Sequence, residues 1–288
     1  MKAIIFGGNG QDGHYLSQHL RSEGVTVISI GRNDPAQPVS LADYGSVAQL
    51  VKDTQPGFIF HLAANSTTRH TALFENHHTI ATGTLHILEA VKEHSPGTRV
   101  FISGSGLQFV NNDHPIKETD PFEARDGYAV SRIQSVYAAR YFRSLGLKVY
   151  VGYFFNHDSP LRSERHMSKK ITAAVQRIAA GSGEQLVIGD ITVKKEWGFA
   201  GDIVKGAWTL VNQDSVYEAV IGTGKGYSIE EWLECCFTYK GLDWKDHVTT
   251  EPGFTAEYRQ LVSEPATIFS LGWQPETSFE SLAKMMMD

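Results

Sequence analysis

The chain begins with a short apolar run, Lys2 to Phe6, that leads directly into Gly7, Gly8, Asn9, Gly10, Gln11, Asp12 and Gly13. An amphipathic stretch carrying Tyr15, Leu16 and Leu20 follows from His14, where a helix is expected to start. Glycine at positions 7, 10 and 13 permits a sharp turn, a close approach of backbone to ligand, and tight packing of the new helix on the strand. The free N–H groups at such a helix start face a phosphate. The spacing therefore predicts a strand, turn and helix that bind a dinucleotide, with Gly7, Gly10, Gln11, Asp12 and Gly13 around its pyrophosphate.

Val25 to Ile30 alternates as a second strand and ends at Gly31 and Arg32. An acidic residue just past this strand would hold the ribose 2′-hydroxyl of NAD, whereas Arg32 can pair with the 2′-phosphate of NADP. NADP is the expected cofactor, with NAD the alternative if Arg32 is a solvated loop charge. A short third strand is expected over Pro38 to Leu41, a helix over Val47 to Val51, and a fourth strand over Gly57 to Ala64. The end of that fourth strand should lie beside the first, where the side chains of Leu62, Ala63 and Ala64 leave room for the cofactor. Ile80, Thr84, Ile87, Leu88 and Val91 recur at helical spacing within Thr79 to Glu93, and Arg99 to Ser103 reads as the next strand. The alternation predicts an α/β fold, a doubly wound parallel sheet of the Rossmann type, with ligands at the carboxyl ends of its strands.

With 26 basic and 32 acidic residues the chain has a formal charge of −6, which argues against a general nucleic-acid binder. Its 12 histidines, among them His61, His77, His78, His157 and His166, fall in no metal-ligand spacing, so no metal is expected. Cys235 and Cys236 are adjacent and poorly placed to bridge each other, which favours a reducing compartment. The start MKAIIFGGNG shows neither a basic leader nor a long apolar span. A cytoplasmic protein with no membrane partner is the expectation.

The Arg99 to Ser103 strand opens into Gly104, Ser105, Gly106 and Leu107, and a helix is expected near Gly127. Tyr128 and Arg132 on that helix are four apart and share a face. A nearby permanent cation favours the ionised form of a phenol, so Tyr128 could exchange a proton with a substrate oxygen while Ser105 hydrogen-bonds the same atom.

Taken together these stretches resemble the extended short-chain dehydrogenase/reductase family, whose glycine motif, HLAA-like strand end, Ser/Thr and YxxxK pair match Gly7/Gly10/Gly13, His61 to Ala64, Ser105, and Tyr128 with Arg132. Within it the chain is similar to the GDP-mannose 4,6-dehydratases, through GQDGHYL (Gly10 to Leu16), HLAANS (His61 to Ser66), FNHDSPLR (Phe155 to Arg162), KKIT (Lys169 to Thr172) and KKEWGFAGD (Lys194 to Asp202). The resemblance implies a nucleoside-diphosphate sugar as substrate, GDP-linked, and catalysis by Ser105, Tyr128 and Arg132, the last two also touching the cofactor. It implies substrate contacts from Asn156, Arg162, Lys170, Lys195 and Arg259, and assembly as a homodimer or homotetramer through the helix carrying Tyr137, Ala138 and Tyr141. Residues 1–155 would form the dinucleotide-binding core and 156–288 mainly the nucleotide-sugar region, interleaved with the last core elements.

Two departures qualify what the resemblance implies. The dehydratases carry an acidic residue two positions past the catalytic Ser/Thr, where this chain has Leu107, and a lysine where it has Arg132. Leucine cannot transfer a proton, and arginine stays charged, so hydride transfer survives while water removal is in doubt. Lys195 likewise stands where arginine is commoner, replacing a bidentate grip with a point charge, and the Leu242 to Leu261 region is short. The leading expectation is hydride transfer at C4 of a GDP-linked sugar. One alternative is full 4,6-dehydration with Asp120, Glu123 or Asp126 as the acid; the other is a cofactor-binding regulator or subunit without turnover.

Overall fold

The computed structural model describes residues 1–32 and 39–288. Its centre is a parallel sheet in which β2 (Thr26–Ile30), β1 (Lys2–Phe6), β3 (Phe58–His61), β4 (Arg99–Ser105) and β5 (Lys148–Phe154) lie side by side in that order. The sixth strand, Glu218–Ile221, pairs with β5 in parallel, so the second half of the chain completes the sheet begun by the first.

Both faces of the sheet are covered, which is why its strands read as continuous apolar runs. Successive side chains of β1 point to opposite faces. Ile4 and Phe6 pack with Val47 of α2 (Tyr44–Thr54), Ile87 and Leu88 of α4 (Gly83–His94) and Val136 of α5 (Gly127–Ser144). Ala3 and Ile5 pack with Leu16 and Leu20 of α1 (Gln11–Ser22) and Ile203 and Leu210 of α7 (Ala200–Val211). A separate cluster joins α6 (Met167–Ala179), α8 (Ile229–Tyr239) and α10 (Phe279–Met287) around Trp197 and Trp232, whose rings stack at 4.3 Å. Trp197 is therefore a core residue.

The boundaries differ from the sequence expectations for local reasons. The glycine-loop helix starts at Gln11, not His14, since the His14 N–H already donates to the Gly10 carbonyl at 2.9 Å. Gln11 and Asp12 thus sit in the first helical turn. Asp43 accepts from Gly45 N at 3.1 Å and Ser46 N at 3.2 Å, so α2 starts at Tyr44, ahead of Val47, and it runs on past Val51 to Thr54. The strand expected over Pro38 to Leu41 begins outside the described residues, and Val39 to Leu41 form no strand. β3 stops at His61, which leaves Leu62 to Ala64 as loop, and β4 runs on to Ser105. α6 starts at Met167, so Lys169 and Lys170 are helical.

The helix that carries Tyr128 is fixed at both ends. Asp126 caps it, accepting from Ala129 N at 2.8 Å. Further along, Arg140 Nη2 meets Glu218 Oε2 at 2.7 Å, and the Tyr153 hydroxyl donates to the same oxygen at 2.6 Å. Burial would raise the Glu218 pKa, but the bonds from Arg140, Tyr153 and Arg143 outweigh it and bring it to about 2. This anchor ties α5 to β5 and the last strand, and so sets where Tyr128 stands. Tyr137 and Tyr141 of the same helix are largely exposed.

Candidate active site

Beyond the carboxyl ends of β1, β3 and β4 the chain leaves two adjoining cavities, of about 600 Å³ and about 360 Å³, which share Gly7, Asn9, Gly10, Leu62 and Ala64 as walls. The glycine loop lies between them. Gly7 has φ +92°, and a Cβ there would stand 2.7 Å from the Ala63 nitrogen; a Cβ on Gly13 would stand 2.4 Å from the Gly7 carbonyl oxygen. Only glycine satisfies both contacts. Gly10, at the cap of α1, has no side chain to satisfy the first-turn N–H groups. An uncapped helix start in a cavity wall suits an anion.

The larger cavity is bordered by Arg32 at the exit of β2 and by Ala63 and Ala64. Arg32 is exposed and pairs with Glu75 at 2.7 Å. An exposed pair of this kind is worth only about 0.5 kcal/mol, so a phosphate could take the guanidinium from Glu75 at little cost.

Ser105, Tyr128, Arg132 and Asn156 all line the smaller cavity. Ser105 closes β4 with a capping box: its Oγ accepts from Leu107 N at 3.2 Å, and its own N–H donates to Gln108 Oε1 at 2.9 Å. The hydroxyl is thereby held while its proton stays free to donate. Arg132 lies one turn beyond Tyr128 with its guanidinium 5.1 Å from the centre of the phenol ring. Its Nη1 donates to the carbonyl and, at 2.8 Å, to the hydroxyl of Ser103, which donates to the His61 carbonyl at 3.0 Å. Arg132 is buried, its Nε has no partner, and no carboxylate pairs with it among the described residues. A buried cation without a counter-ion is costly, so its place in the wall argues for an electron-rich ligand. Burial, and then Arg132, lower the His61 pKa to about 4, which keeps that ring neutral near pH 7.

A family model described as GDP-mannose 4,6 dehydratase matches residues 36–286. The chain belongs to the GDP-mannose 4,6-dehydratase family, and so is an enzyme of the short-chain dehydrogenase/reductase type. GDP-mannose 4,6 dehydratase 2 of Arabidopsis thaliana is 33% identical over 99% of this chain and 86% of its own length. The GDP-mannose 4,6-dehydratase of Yersinia enterocolitica is 31% identical over 99% of this chain and 92% of its own. Among solved structures, RMD from Pseudomonas aeruginosa complexed with NADPH superposes with a TM-score of 0.88 at 19% identity, covering 99% of this chain and 97% of that one. UDP-glucose 4-epimerase of Thermotoga maritima with UDP-glucose also reaches 0.88, at 20% identity and 100% and 97% coverage. At these identities the structures share the fold.

Against this GDP-mannose 4,6-dehydratase family background, the carboxylates are the informative residues. Among the described residues the smaller cavity has one carboxylate in its wall, Asp12. Asp12 Oδ1 is 2.9 Å from His157 Nε2, and His157 Nδ1 lies 2.7 Å from the Phe155 carbonyl, so both ring nitrogens face acceptors and the charged imidazolium is favoured. Asp120 Oδ2 accepts from Lys117 N at 2.9 Å, Glu123 pairs with Arg125 at 2.5 Å, and Asp126 is the α5 cap. None of these three lines the smaller cavity.

The residues expected to meet the substrate divide into two groups. Asn156, with a buried Oδ1 lacking a partner, and Arg162 line the cavity; Arg162 also donates to Asp158 at 3.1 Å and to the His157 carbonyl at 2.8 Å. Lys170 is exposed and donates to the Val187 carbonyl at 3.0 Å, outside that wall. Lys195 is buried with Nζ 4.3 Å from the Trp197 ring centre, and Arg259 is exposed; neither borders either cavity. Sequence reasoning missed His157, although it lies inside the FNHDSP block, because its partner Asp12 is 145 positions away. Gln11 is tied to the same block, its Oε1 accepting from Ser159 Oγ at 2.7 Å.

Burial alone would lower the His157 pKa, but the Asp12 carboxylate outweighs it and raises the value; burial would raise Asp12, but His157 and then Arg162 hold it well below the usual carboxylate range. A raised histidine stabilises the fold fully below its unfolded value of about 6.5 and loses this as pH climbs through the folded one; a depressed aspartate stabilises above about 3.9 and loses this as pH falls through its folded value. His157→Gln is therefore expected to lower Tm by about 5 °C near pH 6, from roughly 2 kcal/mol lost with the pair. The gap to the native protein should shrink as pH rises past the raised His157 value. Thermal melts across pH check this, and a gap that stays constant to alkaline pH would exclude a charged pair.

Proposed function

We propose that this chain is an NADP-dependent oxidoreductase that transfers a hydride at C4 of a GDP-linked sugar without eliminating water. One observation carries the reading: among the described residues, the cavity that brings Ser105, Tyr128 and Arg132 together offers no carboxylate except Asp12, which is engaged by His157. The glycine contacts of Gly7 and Gly13 and the uncapped α1 start fit a dinucleotide pyrophosphate, and Arg32 fits a 2′-phosphate. When bound, NADPH supplies the hydride to the sugar carbonyl carbon and is left as NADP.

The protein residues do the rest. Ser105 donates its free hydroxyl proton to the sugar oxygen and keeps it in place. Tyr128 gives that oxygen a proton in reduction, or takes one in oxidation, and exchanges it with solvent. Arg132 provides fixed positive charge beside the phenol and the cofactor ribose, in a site where charge is weakly screened. Asn156, in the wall of this cavity, stands at the sugar end, and Arg162 adds charge for the diphosphate.

The relatives' names favour a second reading, full 4,6-dehydration, in which the cofactor returns to its starting form and water leaves the sugar. The two readings separate in one experiment. The protein is incubated with a panel of GDP- and UDP-linked sugars and their 4-keto forms, with NADP or NADPH, and cofactor absorbance and product mass are followed. Net cofactor conversion, with GDP-mannose losing no water, is the expected result. A 4-keto-6-deoxy product from GDP-mannose would establish the second reading instead.

A further inference from the structure

The wall of the smaller cavity next to Ser105 is hydrocarbon. Leu107 N donates to Ser105 Oγ at 3.2 Å, which puts the start of the Leu107 side chain within about 5 Å of that oxygen. Leu261, at the end of the Gln260–Leu261 strand, lines the same cavity, and Gly106 contributes no side chain. The same three residues also line a neighbouring cavity of about 290 Å³, where Arg125, Asp126 and Glu257 stand. None of those charged residues borders the cavity holding Ser105 and Tyr128, so Gly106, Leu107 and Leu261 form the partition between a charged space and the reacting oxygen.

This geometry rests on the hydride-transfer reading above and adds a substrate class to it. If Ser105 and Tyr128 hold the oxygen on C4, a side chain that starts beside Ser105 meets the substituents of a carbon bonded to C4. Of those two carbons only C5 carries a carbon branch. A hydroxymethyl group there would turn its hydroxyl onto Leu107 and Leu261, which offer it no hydrogen bond, whereas a methyl group would gain apolar contact. We infer that Leu107 and Leu261 select sugars bearing a methyl group on C5, the 6-deoxyhexoses and their 4-keto forms, over sugars bearing hydroxymethyl.

The reaction on such a sugar balances as a simple carbonyl reduction. Hydride from NADPH forms the new C4–H bond, the C4–O π bond becomes a lone pair that takes the Tyr128 proton, and NADP and a nucleotide-linked 6-deoxyhexose with a C4 hydroxyl result. Oxidation is the reverse and requires NADP.

Matched pairs test the inference: GDP-mannose against GDP-6-deoxymannose, and UDP-glucose against UDP-6-deoxyglucose, each oxidised with NADP and read by the near-ultraviolet absorbance of NADPH. An apolar wall rejects an added hydroxyl by about 10- to 100-fold, so kcat/KM should favour a 6-deoxy member by that factor. Leu107→Gln, which offers the hydroxyl a partner, should narrow the preference, and Leu107→Met, which keeps the wall apolar, should retain it. The native-protein comparison stands alone if the Gln variant does not fold. Equal rates within each pair, or a preference for hydroxymethyl, would overturn the selection and leave hydride transfer standing. No cofactor conversion with any of the four, nor with their 4-keto forms and NADPH, would overturn hydride transfer, and the selection with it.

Discussion

Tyr128→Phe is expected to reduce turnover about 10³-fold while NADP affinity stays within about a factor of three, since the variant loses a proton donor and keeps the ring. That ring still packs under the Arg132 guanidinium, and the backbone of α5 is fixed independently by the Asp126 cap and the Glu218 anchor. Steady-state kinetics beside a cofactor-fluorescence titration separates the two quantities. The regulator reading predicts a biological assay indifferent to this substitution. A fall in affinity as large as the fall in turnover would mean that the phenol oxygen holds the fold or the cofactor, not the reacting proton.

The second large effect belongs to the glycine loop. A methyl group on Gly13 would fall 2.4 Å from the Gly7 carbonyl oxygen and 2.6 Å from the Gly8 Cα, both backbone atoms that cannot swing aside. Gly13→Ala is therefore expected to push α1 away from β1 and weaken cofactor binding by about 10²-fold or more, as the first-turn N–H groups leave their places. Gly97→Ala is the control, because a Cβ there meets nothing within 4 Å. Titration of both variants with NADPH checks the contrast; equal affinities would remove the pyrophosphate site from this loop.

Local chemistry made much of this architecture legible. The apolar run at Lys2 to Phe6, the glycine spacing and the alternation over Val25 to Ile30 each carry their cause in neighbouring residues, so the sequence alone locates them. The adjacency of the β3 exit to the glycine loop follows from the doubly wound order, and a Gly7 Cβ clashing with Ala63 is its physical counterpart. Long-range polar partners were less accessible. His157 reads as one histidine among twelve until the chain folds and Asp12 arrives beside it. Lys170 and Lys195 sit in blocks that resemble the family, but helix phase and burial decide where such side chains end, and neither is set by a motif. Leu107 was legible as a missing acid; that Leu261 joins it across the chain was not.

The two tethers from α1 to the segment after β5, Asp12 to His157 and Gln11 to Ser159, bear on how the protein assembles as it is made. A nascent chain that has emerged only to residue 155 holds every glycine of the loop, yet lacks both tethers, and its β5 is a bare edge awaiting Glu218–Ile221. Its nucleotide site can reach final form only after the later half has been synthesised and has folded back. Slow, non-local closure of this sort exposes the unfinished sheet to self-association, and early cofactor capture would offer it little protection.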